Sequence, residues 1–224
     1  MKIKWLGQSC FEIVTESGTK IVIDPFARDD VAKYPGLEIN YPALDGLEAD
    51  VVTVSHRGHF DHDNTGAVKG SPVVLDGAGT ANVEGIEFNS FGTFHRTADG
   101  LSDDPFNHVF YWEADGLRLC HTGDLGYVLG EELVAKIKNI DILFMPVGEG
   151  FTLQHEDVLA NIININPKIV IPMHYKTDEV DFLPKTVDDF LGICGMEAVY
   201  PDEPFVITAD TLPEAATVYV LKKP

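Results

Sequence analysis

Apolar and polar residues alternate through the opening stretch MKIKWLGQSCFEIV, and this period of two predicts strands over Ile3–Leu6 and Cys10–Thr15. Glu16-Ser17-Gly18 has turn chemistry, so a third strand over Lys20–Ile23 closes a hairpin with the second. Past Asp24-Pro25 a long polar segment runs to Asp50. Val51-Val52-Thr53-Val54 then forms a continuous β-branched run, the pattern of a strand buried on both faces. Short strands follow at Val73–Leu75, Ile86–Phe91, Val109–Glu113 and Leu117–Cys120, and Asp115-Gly116 joins the last two as a hairpin.

Beyond residue 130 the period lengthens. Leu133, Val134 and Ile137 share one face of an expected helix over Gly130–Lys138, and Asp141–Met145 reads as a strand that stops at Pro146. A helix over Gln154–Ile165 must end before Pro167, and Lys168–Ile171 is a second buried strand. A helix near Thr186–Leu191 and strands near Val199 and Thr217–Leu221 complete the chain. Strands dominate the first half and alternate with helices in the second, which predicts two packed sheets covered by helices.

Composition narrows this picture. A chain of 224 residues, 45% hydrophobic and 23% charged, suits one domain spanning 1–224. Sixteen Lys and Arg face 36 Asp and Glu, a formal charge of −20. So acidic a surface repels phosphate backbones and anionic lipid, which excludes nucleic acid and membrane as expected partners. A small-molecule substrate fits better, and a homo-oligomer stays open. The N-terminus has no apolar run of the length a signal peptide or membrane span needs, so a cytoplasmic location is expected. Cys10, Cys120 and Cys194 lie among apolar neighbours and read as buried free thiols.

The candidate chemistry lies at strand ends. His56, His59, Asp61 and His62 follow the strand at Val51–Val54, His95 follows Ile86–Phe91, Asp124 follows Leu117–Cys120, and His174 follows Lys168–Ile171. Imidazole and carboxylate groups held rigidly at strand ends can converge into a metal site. This donor set suits Zn²⁺ first, with Mn²⁺ or Fe as alternatives.

These residues resemble a known family. HFDH preceded closely by another histidine, then a lone His, a Gly-Asp and a late MHY, resemble the metallo-β-lactamase-fold hydrolases. WLGQSCFEI, IVIDPF, ADGLRLCHTGDLG and KIVIPMHYKT are similar, more narrowly, to the branch of small bacterial metal-dependent hydrolases related to ascorbate 6-phosphate lactonase. The likeness covers Met1 to about Thr177. It implies an α/β fold of the αββα four-layer sandwich type and two divalent metal ions. One ion would be held by His59, His95 and the upstream histidine, the other by Asp61, His62 and His174, with Asp124 bridging them. It also implies hydrolysis of an ester-like bond (lactone, ester or phosphodiester) by a metal-bound hydroxide, with Asp61 orienting the water.

One spacing departs from the family. The usual His-x-His-x-Asp-His reads His56-Arg57-Gly58-His59-Phe60-Asp61-His62 in this chain, one residue longer. Either Gly58 takes positive φ and a bulge returns His56 to the site, or His56 points elsewhere and the first metal keeps only His59 and His95 from the protein. A non-catalytic or mononuclear metal-binding protein of the same fold is therefore the alternative function. RNA-processing nucleases of this fold would want a basic face, and its di-iron oxidoreductases a Glu between the histidines; neither is present.

Neighbouring residues divide as follows. Asp24 either orients a ligand or caps a turn. His121 reads as a supporting or core histidine, His108 and His155 as surface or capping residues, and Tyr175, Cys10 and Cys120 as packing. Arg57 and Arg96 are expected in salt bridges, with anchoring of a substrate anion as the second reading. The segment Ala27–Ala49 and the tail from Asp178 are expected to shape the mouth of the site.

Overall fold

The computed structural model describes residues 1–97, 100–101, 107–137 and 139–224. Sixteen strands are present among them: β1 (Lys2–Gly7), β2 (Cys10–Val14), β3 (Lys20–Ile23), β4 (Val51–Thr53), β5 (Val73–Leu75), β6 (Gly79–Val83), β7 (Ile86–Thr93), β8 (Arg96–Thr97), β9 (Gly100–Leu101), β10 (Asn107–Ala114), β11 (Leu117–His121), β12 (Ile142–Pro146), β13 (Ile169–Met173), β14 (Glu197–Val199), β15 (Phe205–Val206) and β16 (Thr217–Tyr219). The α-helices are α1 (Glu131–Lys136), α2 (His155–Ile165) and α3 (Val187–Cys194). Lys138, the expected end of the first helix, lies outside the described residues.

Two mixed sheets carry the fold. One has the order β15-β1-β2-β3-β4-β5 and the other β14-β16-β13-β12-β11-β10-β7-β6. In the first, Ile3 pairs Ile13, Ile13 pairs Ile21 and Ile21 pairs Val51, so one face is a ladder of β-branched side chains. Phe11, on that face, reaches the other sheet, its ring 4.7 Å from Phe144 of β12 and 6.1 Å from His121 of β11. The two sheets thus bury each other's inner faces, and one cluster of buried apolar side chains runs from Met1 to Leu221.

The β-branched and apolar runs behave as their patterns require. Every residue of β4, β12 and β13 is buried, so both faces of each strand are covered. The Asp115-Gly116 hairpin forms with both residues at positive φ, 54° and 72°, the pair of left-handed residues that a two-residue turn between twisted strands needs. Along α2, His155, Val158, Ile162 and Ile165 form the buried stripe, and Asn166 in the left-handed conformation ends the helix before Pro167.

The architecture is the expected α/β sandwich, with the described α-helices all in the second half of the chain, as the sequence pattern required. Among the described residues all three α-helices follow Gly130, and the only helical piece between Ile23 and Val73 is a short 3₁₀ turn, Thr65–Ala67. Turns carry Phe26, Ile39, Tyr41 and Leu44 into the core there instead. The Cys10 and Cys120 thiols are buried as expected, whereas Cys194 is only half-buried. None of the described helices is long and apolar enough to cross a membrane.

Topology then decides where the chemistry goes. β11, β12 and β13 are parallel, and β7 runs the same way because it is antiparallel to β10, as β10 is to β11. Their C-terminal ends therefore share one edge of the sheet. By the same reasoning β1, β3 and β4 end together in the other sheet. Seven separated segments meet at that rim.

Candidate metal centre

Asp61, His62, Asp124 and His174 form its centre, all four buried, with one ligand atom of each lying within 4.8 Å of the others. His62 Nε2 is 2.9 Å from Asp124 Oδ2 and 3.4 Å from Asp61 Oδ2. His174 Nε2 is 3.4 Å from Asp124 Oδ1 and 3.6 Å from Asp61 Oδ2. Two imidazoles thus face two carboxylates across a space of the size a divalent ion fills.

His56, His59 and His95 adjoin this group. The His56 and His59 rings stack at 3.8 Å, and His95 lies 4.5 Å from His56 and 6.0 Å from His59. His56 Nδ1 stands 3.7 Å from Asp124 Oδ2, so Asp124 touches both groups. The extra residue in the first motif is taken up at Gly58, whose φ is +76°, while the backbone of His56 bridges to Asn107. All seven side chains singled out in the sequence therefore converge.

Supporting groups set their orientation. Asp24 at the end of β3 is fully buried; it accepts from Ser55 N at 2.7 Å and Ser55 Oγ at 2.5 Å, and its Oδ2 lies 3.1 Å from His62 Nδ1. A carboxylate on Nδ1 fixes the tautomer that presents Nε2 to the site, so Asp24 orients His62. His95 is held in the same sense, its Nδ1 2.7 Å from Arg96 O. Asn107 Oδ1 accepts the Asp124 N–H at 2.8 Å, while its amide donates to Thr93 Oγ1 and Thr122 O. Gly123, at φ +56°, passes so close to Asn107 and Ser55 that a Cβ would collide with both. His121 accepts from Gly123 N and its Nε2 lies 3.2 Å from Ser9 O, a neutral supporting histidine.

The electrostatics split the histidines into two classes. Burial lowers the pKa of His62 and His174, but the Asp124 and Asp61 charges more than offset it and raise both. Burial and the neighbouring His56 push His59 down to about 4, and the same two causes lower His95. Burial raises Asp61 and Asp124, yet the facing His62 and His174 hold both well below the usual carboxylate range. Buried carboxylates and imidazoles that shift each other in opposite directions are the pattern expected of a functional site.

The residues fit a metal. Asp124 Oδ1 is buried and, among the described residues, has no hydrogen-bond donor. A buried carboxylate oxygen left without a donor is costly, and a bound cation would offset that cost. The nitrogen and oxygen donors suit Zn²⁺, Mn²⁺ or Fe.

Other residues fall as follows. Arg57 pairs with Asp76, and Arg96 Nη1 lies 4.0 Å from Asp157, so both take up carboxylates. Tyr175 packs against Trp5, its ring 5.1 Å away, and borders a 920 Å³ cleft shared with tail residues such as Tyr200 and Lys222. His155 is buried rather than at the surface, with Nε2 2.8 Å from Val147 O. His108 is half-buried, its Nδ1 3.3 Å from Ser55 O. Sequence reasoning missed Asn107, Ser55 and Tyr34. Tyr34 covers His59 at 5.3 Å and Phe60 at 5.7 Å from a segment with no periodic signal.

Comparison with known proteins agrees with this fold. Residues 2–174 match the family described as Beta-lactamase superfamily domain. A UPF0173 metal-dependent hydrolase of Pelotomaculum thermopropionicum is 31% identical over 205 residues, covering 79% of this chain and 85% of that one. A Thermotoga maritima crystal structure of the metallo-beta-lactamase superfamily has 35% identity and a TM-score of 0.74, covering 98% of this chain and 97% of that one. CmlA, a diiron beta-hydroxylase from Streptomyces venezuelae, shares the fold at 13% identity and a TM-score of 0.56, with 80% of this chain and 48% of that one covered. The chain belongs to the beta-lactamase superfamily and, within it, to the UPF0173 metal-dependent hydrolases.

Proposed function

We propose that this metal-dependent hydrolase cleaves an ester-like bond of a small molecule at a dinuclear centre. His56, His59 and His95 would hold one ion, Asp61, His62 and His174 the other, with Asp124 between them. The observation that carries this reading is the position of Asp124, whose Oδ2 is 2.9 Å from His62 Nε2 and 3.7 Å from His56 Nδ1. Zn²⁺ is the first ion to test, then Mn²⁺ and Fe. Bound divalent ions would supply Lewis acidity, lowering the pKa of water and polarising the bond attacked.

The chain's own residues do the rest. Asp61, held ionised by His62 and His174, accepts a hydrogen bond and orients the attacking water. His59, with a third of its side chain exposed, marks the side from which substrate enters, and Tyr34 walls that entrance. Lactones are the first substrates to try, on the motif likeness to ascorbate 6-phosphate lactonase; simple esters and phosphodiesters follow. A cytoplasmic location suits a small-molecule hydrolase of this charge.

A mononuclear reading has one observation in its favour. Among the described residues only Asp61, His62, Asp124 and His174 meet as a tight four-ligand group. Elemental analysis after Zn²⁺ loading separates the two. The dinuclear centre predicts two ions in the wild type, one in His56→Ala and none held tightly in Asp124→Ala. One ion in the wild type, unchanged in His56→Ala, establishes the mononuclear site. A loaded protein inert on a panel of lactones, esters and phosphodiesters refutes the ester-like assignment.

A further inference from the structure

Two buried polar side chains next to the centre lack the hydrogen bonds their chemistry demands. The β1–β2 turn, Gly7-Gln8-Ser9, is drawn against the loop after β13. Gln8 O accepts from Trp5 Nε1 at 2.9 Å and from His174 N at 3.2 Å, and both Gln8 and His174 sit at positive φ, 52° and 50°. Non-glycine residues held in this region next to a site mark a constraint that the surrounding structure maintains. The Gln8 side chain is fully buried, and among the described residues neither Oε1 nor Nε2 has a partner; nor does His174 Nδ1. Buried polar groups are nearly always paired, so three such atoms on two bonded segments require an account.

The chemistry of His174 points to one. Its Nε2 faces Asp61 and Asp124, so a neutral ring with its lone pair there carries its proton on Nδ1, and Nδ1 becomes a donor. His62 and His95 have acceptors at the corresponding nitrogen, Asp24 Oδ2 and Arg96 O. We propose that Gln8 is the positioning residue for His174, its Oε1 accepting the Nδ1–H so that Nε2 is presented to the ion. The His174 N–H to Gln8 O hydrogen bond holds the two residues side by side, and rotation of the Gln8 side chain, not seen in the structure, would close the proposed bond. A neutral amide also adds no further carboxylate to a site that already holds Asp24, Asp61 and Asp124. The inference rests on the reading of His174 as a ligand.

The test is Zn²⁺ affinity by chelator competition in wild type, Gln8→Met, Gln8→Glu and His174→Ala, with ¹H–¹⁵N spectra of the histidine rings in the Zn²⁺-loaded wild type. Met matches glutamine in size without an acceptor oxygen, so Gln8→Met should bind about 10–100-fold more weakly. Gln8→Glu should recover most of that loss, and the His174 Nδ1–H should be protected from exchange. Met binding like wild type, Met and Glu weakened equally, or a freely exchanging Nδ1–H each overturns the assignment of Gln8 alone. No binding by wild type, or none lost in His174→Ala, overturns the ligand reading and this inference with it.

Discussion

Replacing Asp24 with Asn keeps the side-chain volume and tests the orientation of His62 directly. Asn tolerates left-handed backbone as Asp does, so φ +44° costs little extra. The amide oxygen can keep the bond to Ser55 N, while the NH₂ group then faces Ser55 Oγ and His62 Nδ1. The serine hydroxyl can rotate to accept. The imidazole cannot keep a proton on Nδ1 against a donor, so its neutral form shifts the proton to Nε2, the atom 2.9 Å from Asp124 that should bind the ion. One hydrogen bond to a carboxylate is lost, about 1.5–3 kcal/mol. At about 1.4 kcal/mol per factor of ten, this agrees with the ~10–100-fold loss of affinity typical when a ligand's supporting partner is removed. Chelator competition with Zn²⁺ measures it. Urea unfolding of the metal-free variant should show a loss of no more than ~3 kcal/mol, because one bond changes and no cavity opens. Asp24→Ala strands Ser55 N, Ser55 Oγ and His62 Nδ1 together, and should cost ~3 kcal/mol or more. An Asn variant with wild-type affinity would refute the tautomer argument.

Four further outcomes are expected. Gly123→Ala forces a Cβ into Asn107 and Ser55 at φ +56°; left-handed strain and overpacking together should cost ~2–4 kcal/mol in a chemical denaturation, and an unchanged midpoint would refute it. Below their raised pKa values His62 and His174 must give up protons to bind an ion, whereas the lowered His59 and His95 need not over the same range. Calorimetric heats of Zn²⁺ uptake should therefore depend on buffer ionisation enthalpy, and affinity should rise with pH; uptake without proton release would contradict this. The metal-free fold has the opposite sign, because the His62 and His174 pairs stabilise it below the ordinary histidine range and fade as pH rises through their raised values. Phe11→Ala removes the ring that joins the sheets against Phe144 and His121, and should cost ~3–5 kcal/mol; a loss under ~1 kcal/mol would show that the sheets do not depend on it.

Some elements could be read because their cause is local. The Val51–Thr53 run, the Asp115-Gly116 turn and the α2 stripe each place apolar or left-handed residues at the interval their structure needs. β6 escaped, since Gly79–Val83 is nearly all exposed or half-exposed and owes its form to pairing with β7. The two-residue β15 likewise exists through its pairing with β1. The first motif was readable only up to a choice. Gly58 permitted a bulge, but only the bond of His108 N to Ser55 O and the bridge of His56 to Asn107 show which way the chain turns.

By itself the sequence determined most of the longer strands, the three helices and the seven candidate metal-ligating residues at strand ends, because hydrophobic period and residue chemistry are written residue by residue. Only the tertiary structure decided that His56 joins the others, that Asp24 sets the tautomer of His62, that Arg57 and Arg96 are spent on carboxylates, and that Tyr34 and Gln8 border the centre. Those facts depend on which strands lie side by side and run the same way. Strand order brings residues more than a hundred positions apart, such as Gln8 and His174, into hydrogen-bond contact, and no local pattern encodes such a distance.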